Sequence, residues 1–469
     1  MSDSGSRRLV LATTSVSAFA TPFLSSAIAF AVPRIGVSFR LDFTQAALIP
    51  MIYLIPLASF MIFFGRISDN VGRVKIFRFG LAVFSASSIA ASFSPSYAFL
   101  IAMVSLAGLG SAILSTNSTA IVSYVYSGGG RGFALGINAM SVYLGLTFAP
   151  FLGGILMEFS GWRSVFLFSG PVGIAALALS AYSMRNIEIR KRNAASGMSG
   201  SVFLAGSILS LTAYVAIWDV AGFLMAACIL PVAAVFITLF AMYGTHGAGE
   251  AVPAGMLKGN RTFAASNLTA LLNYISTFSI VFIFSIYLQV ILHVSPFMSG
   301  ILILPEPVLM VALSPVAGKL ADRFGSRSIA SAGMIIIGLA FLGLYFMRPL
   351  GRVEILTLLG IIGVGFGLFS APNTNSVMGS VSRDSSGTAS GFLGTMRFTG
   401  QLFSIVLATA VISAYIPRSL AVGMFSGTVV AITPQYFSSF SEGFRTVMII
   451  SAILSLAGAI TSLLKNRGQ

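Results

Sequence analysis

Gly65-Arg66-Ile67-Ser68-Asp69-Asn70-Val71-Gly72-Arg73 lies between two long apolar runs, and a variant of it returns 253 residues later as Gly318-Lys319-Leu320-Ala321-Asp322-Arg323-Phe324-Gly325. A second echo sets Arg131-Gly132-x-x-x-Gly136 against Ser386-Gly387-x-x-x-Gly391, at an offset of 255. Two echoes at nearly one offset indicate two homologous halves. Both copies of the first motif fall in basic loops on one side, so an even number of spans separates them. Six spans with short loops need about 150–200 residues. The observed offset therefore leaves room for two more, and the hydrophobic stretch around Trp218-Asp219 is the natural insertion.

The rest of the 469-residue chain agrees with a membrane reading. Hydrophobic residues make up 56% of it, charged residues 8%, and the mean hydropathy is +0.95. A soluble domain carries roughly 25% charged residues. The composition excludes a soluble enzyme, a nucleic-acid binder and a disordered chain, and leaves an all-α polytopic membrane protein. Apolar runs near 9–33, 45–64, 76–95, 97–126, 132–157, 164–184, 201–218, 222–243, 262–291, 296–317, 329–347, 353–377, 388–416 and 442–464 give fourteen spans. The expected organisation is a six-helix bundle over 1–192, a two-helix insertion with linkers over 193–258, and a second six-helix bundle over 259–469, the bundles related by pseudo-symmetry. Arg7-Arg8 before an apolar run resembles the start of a signal peptide, but that run continues to Val32, too long for a signal core. It is read as the first span. Segment 417–441 is read as an external loop.

The net charge is +15, from 27 Lys and Arg against 12 Asp and Glu. With a cytoplasmic N-terminus, nineteen of the basic residues fall on the inside and seven outside, the asymmetry expected of a cell-membrane protein with both termini cytoplasmic. The single cysteine, Cys228, cannot form an intrachain disulfide. No Gly-x-x-x-x-Gly-Lys-[Ser/Thr] loop is present, and His246 and His293 sit in a loop and at a span end. No catalytic residue, metal site or cofactor is expected. The expected partner is the bilayer, with no nucleic acid, and the chain is expected to act as a monomer.

Three motifs carry a family likeness. Gly65-Arg66-x-x-Asp69-x-x-Gly72-Arg73 resembles the signature loop between spans 2 and 3 of the major facilitator superfamily. Gly145-x-x-x-Ala149-Pro150-x-x-Gly153-Gly154 is similar to the fifth-span motif of its antiporter branch, and Trp162-Arg163-x-x-Phe166 and Asn260-Arg261-x-Phe263 before Leu271-Leu272-Asn273-Tyr274 also fit. With fourteen spans, the chain resembles the fourteen-span drug:proton antiporter family. That resemblance implies two six-helix bundles about a central cavity, alternating access, and export of hydrophobic or amphipathic drugs or metabolites against proton entry. An ion-coupled importer or a facilitator of a narrow small solute is the alternative. The resemblance also implies that the signature loop (Gly65, Arg66, Asp69, Gly72, Arg73 and the second copy Gly318, Lys319, Asp322, Arg323, Gly325) latches the bundles in one state. The acid usual in the first span of the family is absent from Leu24-Ser25-Ser26-Ala27.

Read physically, Asp69 stands just before span 3, where its charge favours a helix N-terminus. Gly145, Ala149 and Gly153 have small-xxx-small spacing, and Pro150 beside them suits a switching kink as well as plain packing. Gly360, Gly363, Gly365 and Gly367 form a close-packing face. Asn117, Tyr143, Asn273, Tyr274 and Asn373 are polar residues within spans and candidates for cavity lining.

The acid placed deepest in a span is Glu306, ten residues past Pro296 and flanked by Pro305 and Pro307. Ten residues of helix span about 15 Å, which sets it near the midplane. A charge there costs about 2.5–3.5 kcal/mol on insertion scales, so it does not face lipid. Arg397 reaches a comparable depth. The two are candidates for proton coupling or substrate binding, paired in one state and released by protonation in the other. A permanent structural ion pair is the bland reading, and a carboxylate anchor for a cationic substrate is a third.

Overall fold

The computed structural model describes residues 4–127, 130–185, 187, 189, 198–221, 229–244, 259–346, 351–381, 386–416 and 434–465. Their regular structure is helical throughout: α1 (Ser4–Phe39), α2 (Phe43–Val71), α3 (Arg73–Ser92), α4 (Tyr97–Val125), α5 (Arg131–Ser160), α6 (Arg163–Ser183), α7 (Met198–Ala221), α8 (Ile229–Leu239), α9 (Arg261–Ile291), α10 (Pro296–Phe324), α11 (Ser326–Phe346), α12 (Arg352–Gly379), α13 (Ser386–Tyr415) and α14 (Pro434–Leu463). Twelve of these are long and apolar enough to cross a membrane among the described residues; Ser199–Ser210 of α7 and α8 are shorter apolar segments. Only helices satisfy every backbone group within one segment, which is why sequences this apolar take that form.

Helices α1–α6 pack on one another, and α9–α14 pack on one another. The two sets meet where α1 lies on α9, α5 on α10 and α2 on α13, while α8 packs on α7, which lies mainly on α2. Polar ends set the register of several helices. Asp42 accepts from Gln45 N at 2.7 Å while its own N–H donates to Gln45 Oε1 at 3.1 Å, a reciprocal cap on α2. Ser96 caps α4, Asn260 caps α9 and Ser295 caps α10.

Three expected boundaries are corrected. The Gly65–Arg73 stretch is not a loop. α2 continues to Val71, and a single residue, Gly72 at φ 119°, reverses the chain into α3. Its counterpart Gly325, at φ 84°, separates α10 from α11 in the same way, and a β-carbon is strained at either φ. Asp69 therefore sits in the last turn of α2, not ahead of α3. Trp218-Asp219 lies inside α7, which runs on to Ala221. The last helix begins at Pro434, eight residues before its expected start, with proline at a position where its missing N–H is harmless. Residues 417–433, Cys228 and His246 lie outside the described residues.

Close approach of helices is supplied by glycines. A β-carbon on Gly108 would stand 2.1 Å from Tyr53 O, and one on Gly145 would stand 2.4 Å from Phe19 O, both within the first set. Gly363, Gly365 and Gly367 press α12 onto α10 and α11, with Gly365 and Gly333 facing each other's carbonyls. At the end of the molecule opposite the chain termini, the same device joins the two sets. Gly154 lies against Pro296 O at 2.7 Å and Gly300 against Pro150 O at 2.5 Å, measured to the β-carbon each lacks. The fifth-span motif thus divides its labour: Gly145 packs within a set and Gly154 between sets.

Candidate functional site

A small cavity opens where the two sets meet. Ser26 of α1, Leu146 and Pro150 of α5, Tyr274 and Thr277 of α9, Glu306 and Met310 of α10 and Phe366 of α12 line it. Its volume is about 50 Å³, enough for a few waters and no drug-sized molecule. Its walls are apolar apart from the hydroxyl-bearing Ser26, Tyr274 and Thr277 and one carboxyl group.

That carboxyl group belongs to Glu306. α10 is interrupted at Leu304 between two helical segments, where Pro305 and Pro307 cannot donate to the ladder. Gly363 of α12 lies on the Glu306 backbone, 2.1 Å from its carbonyl oxygen by its missing β-carbon. The interruption and this contact fix the side chain at the seam. Glu306 Oε2 is buried and has no hydrogen-bond partner. Thr147 of α5 reaches across the same seam to Pro307 O at 3.3 Å.

Arg397 does not pair with Glu306. Its guanidinium sits 5.5 Å from the ring centres of both Tyr143 of α5 and Tyr274 of α9, and Nη2 donates to Tyr143 OH at 3.5 Å. Ser370 of α12 donates to the same Tyr143 hydroxyl. Arg397 Nε is buried without an acceptor, and among the described residues no carboxylate lies within ion-pair distance of it. Tyr274 thus belongs to both places, lining the cavity beside Glu306 and forming part of the arginine's cage.

The remaining candidates have other places. Asn117 joins α4 to α2 by donating to Ser68 Oγ at 2.9 Å, Asn273 touches Met334 of α11, and Asn373 donates to Ser266 O at 3.1 Å. All three are buried between helices and none lines the cavity. Asp69 pairs at 2.6 Å with Arg73 of the next helix, across the Gly72 turn, and is 8% exposed. Ser370 and Gln401 escaped the sequence reading. Gln401, one turn along α13 from Arg397, is fully buried with neither amide atom partnered; its spacing from Arg397 was the available signal.

Just beyond the end of α14, Lys465 is 2% exposed and donates to Asn373 Oδ1 at 2.9 Å. Arg327 donates to its carbonyl at 3.3 Å. Burial without an acid lowers the lysine to about 7. Between that value and the usual one for lysine, the unfolded chain holds the proton and the folded chain does not. Stability contributed here therefore rises with pH above about 7, and below that the penalty of a buried charge is fully present. Lys465→Met should flatten this slope in unfolding scans between pH 6 and 9, and raise stability most at the acid end; an unchanged slope would place the titration elsewhere.

Comparison with known proteins agrees with this architecture. The profile of the Major Facilitator Superfamily matches residues 14–405. The riboflavin transporter RibZ of Clostridioides difficile (strain 630) is 26% identical over 414 residues, 88% of this chain and 89% of that protein. The multidrug efflux pump LfrA of Mycolicibacterium smegmatis is 26% identical over 444 residues, 93% of this chain and 85% of that one. A bacterial homolog to the human lysosomal transporter Spinster, solved in an inward-facing and unoccupied conformation, superposes with a TM-score of 0.71 at 17% identity over 98% of this chain and 97% of its own, which is a likeness of fold alone. With a family match across most of its length and twelve spans packed as two sets, this chain is a multi-pass membrane transporter of the Major Facilitator Superfamily, not an enzyme.

Proposed function

We propose that the chain is a proton-coupled exporter of hydrophobic or amphipathic compounds, working by alternating access between two bundles, 1–192 and 259–469. In this reading α7 and α8 are the two-helix insertion of 193–258, making fourteen spans, both termini are cytoplasmic, and the protein acts as a monomer in the cell membrane. The observation that carries it is the partnerless carboxyl oxygen of Glu306 in an apolar cavity at the seam. A group there can take a proton from one side and give it to the other as the bundles rock. Support also comes from relatives described as a multidrug efflux pump and a multidrug resistance protein.

The test is movement of a fluorescent drug in inverted vesicles under an imposed pH gradient. Uptake on internal acidification agrees with export, and equilibration without regard to the gradient overturns it. The similarity to a riboflavin transporter favours the second reading, a carrier with a narrow substrate; saturation by one solute and indifference to dyes would establish that. Topology is checked with single cysteines in a Cys228→Ser background. Ser426→Cys should label with an impermeant reagent on intact cells and Ser199→Cys should not, and the reverse pattern inverts the orientation.

The signature stretch is assigned a latch role through its buried acid. Asp69 and Arg73 clamp the ends of α2 and α3 across a one-residue turn, and α2 is the helix that meets α13 of the other set. Asp69→Asn should leave insertion and expression intact and slow transport several-fold by shifting the balance of states. Full activity at normal expression would remove Asp69 from the mechanism.

A further inference from the structure

Arg397, a cation, and Glu306, an acid, lie near the centre of the molecule, and neither has an ionic partner. Arginine cannot lose its proton in a protein, so the positive charge in the tyrosine cage is permanent. The two rings and the Tyr143 hydroxyl offset only part of the cost of burying it, and an anion would offset more. Glu306, in turn, has a carboxyl oxygen without a donor. Both side chains keep partial exposure in a structure otherwise packed at the seam. Tyr274 is common to both, lining the cavity beside Glu306 and lying under the Arg397 guanidinium, with Phe366 edge-on to it at 5.5 Å.

The complementary molecule has a flat apolar body for Tyr274 and Phe366, an anionic group for Arg397 and a cationic group for Glu306. We propose that the substrates are zwitterionic amphiphiles, with a carboxylate or similar anion held at Arg397 and an amine at Glu306. This rests on the proposed transport path running through the cavity. The present cavity admits only water, so such a molecule enters when the two sets part. Protonation of Glu306 releases the amine end while Arg397 keeps its charge. A simple cation is disfavoured by Arg397 and a simple anion by ionised Glu306. The site thereby selects for both charges on one body, whereas an apolar cleft alone selects for neither.

The test is binding to the full-length purified protein at pH 7 of four probes with one naphthyl body: 2-naphthylalanine, 2-(2-naphthyl)ethylamine, N-acetyl-2-naphthylalanine and its methyl ester. These carry both charges, the cation alone, the anion alone and neither. The zwitterion should bind about 10-fold or more tighter than either singly charged probe, the scale expected for a charged hydrogen bond. In Arg397→Gln the preference for zwitterion over amine should collapse to within about 2-fold, with the preference over the N-acetyl acid retained. Glu306→Gln should show the mirror pattern. Arg397→Lys, which keeps charge but not the planar fork, should retain part of the carboxylate preference, and it serves if the glutamine variant fails to fold. Equal wild-type affinity for zwitterion and amine, or an Arg397→Gln or Arg397→Lys protein with an undiminished ratio, overturns the proposal. The exporter reading fails separately: the binding ratios would hold while pH-driven movement is absent. Conversely, pH-driven dye movement without charge discrimination would remove this inference and leave the exporter.

Discussion

Proteoliposomes carrying Glu306→Gln should lose proton-driven accumulation of substrate by about 10-fold or more and still exchange substrate at equilibrium. Glutamine keeps the volume and the acceptor oxygen of the side chain but never ionises, so it fixes the neutral form. The acid has no structural bond to lose. Its Oε2 is partnerless, and α12 is held to α10 through the Glu306 carbonyl, which the substitution leaves in place. Expression and thermal stability should therefore stay near wild type, or rise, since a partnerless acid is removed from an apolar site. A variant that still concentrates substrate with wild-type pH dependence would exclude Glu306 as the proton carrier. A variant that fails to fold would return Glu306 to a structural role.

Gly300→Val should abolish transport by blocking one of the two states while leaving both helix sets folded. The β-carbon would stand 2.5 Å from Pro150 O, and its next neighbour is also α5 backbone, so no side chain can swing away. Overpacking of this kind costs about 1–3 kcal/mol in a rigid core, and about 2.8 kcal/mol is a 100-fold change in the balance of two states. The wedge acts only when α5 and α10 are together, so the parted state bears none of it. Gly108→Val is the contrast. Its β-carbon would stand 2.1 Å from Tyr53 O within a single set, and that variant should fail to accumulate in the membrane. Gly153→Ala meets only ordinary contacts at 3.7 Å and beyond and should be silent. Normal transport by a well-expressed Gly300→Val protein would show that the α5–α10 contact is not part of the cycle.

The membrane class and the all-helical make-up were legible because they depend on run length and composition, which are one-dimensional. The break beside Glu306 was legible from Pro305 and Pro307, whose effect is local. Side-chain partnerships were less so. Arg397 and Glu306 were matched by depth, but depth says nothing of rotation about the helix axis, and the structure turns Arg397 to Tyr143 and Tyr274 instead. Asn117, Asn273 and Asn373 carry the same sequence signal as a cavity residue, a polar group in an apolar run; only the packing shows that their partners are neighbouring helices. The signature stretch misled in another way. Polar residues and glycines there resemble a loop, yet the helix persists through Asp69, because an apolar span extends easily past the membrane boundary until a residue such as Gly72 reverses it.

The reciprocal contacts of Gly154 with Pro296 and Gly300 with Pro150 bear on leakage. A carrier dissipates the gradient across its membrane if a file of water threads its closed face, since protons hop along such a file far faster than solutes move. Side-chain plugs leave rotamer-dependent gaps that a water can occupy for a moment. Two backbones in direct contact have no rotamers, so this seam has no such gap to open. Insulation of the membrane is then a property of the peptide chain itself, and it is as tight as the absence of two β-carbons allows.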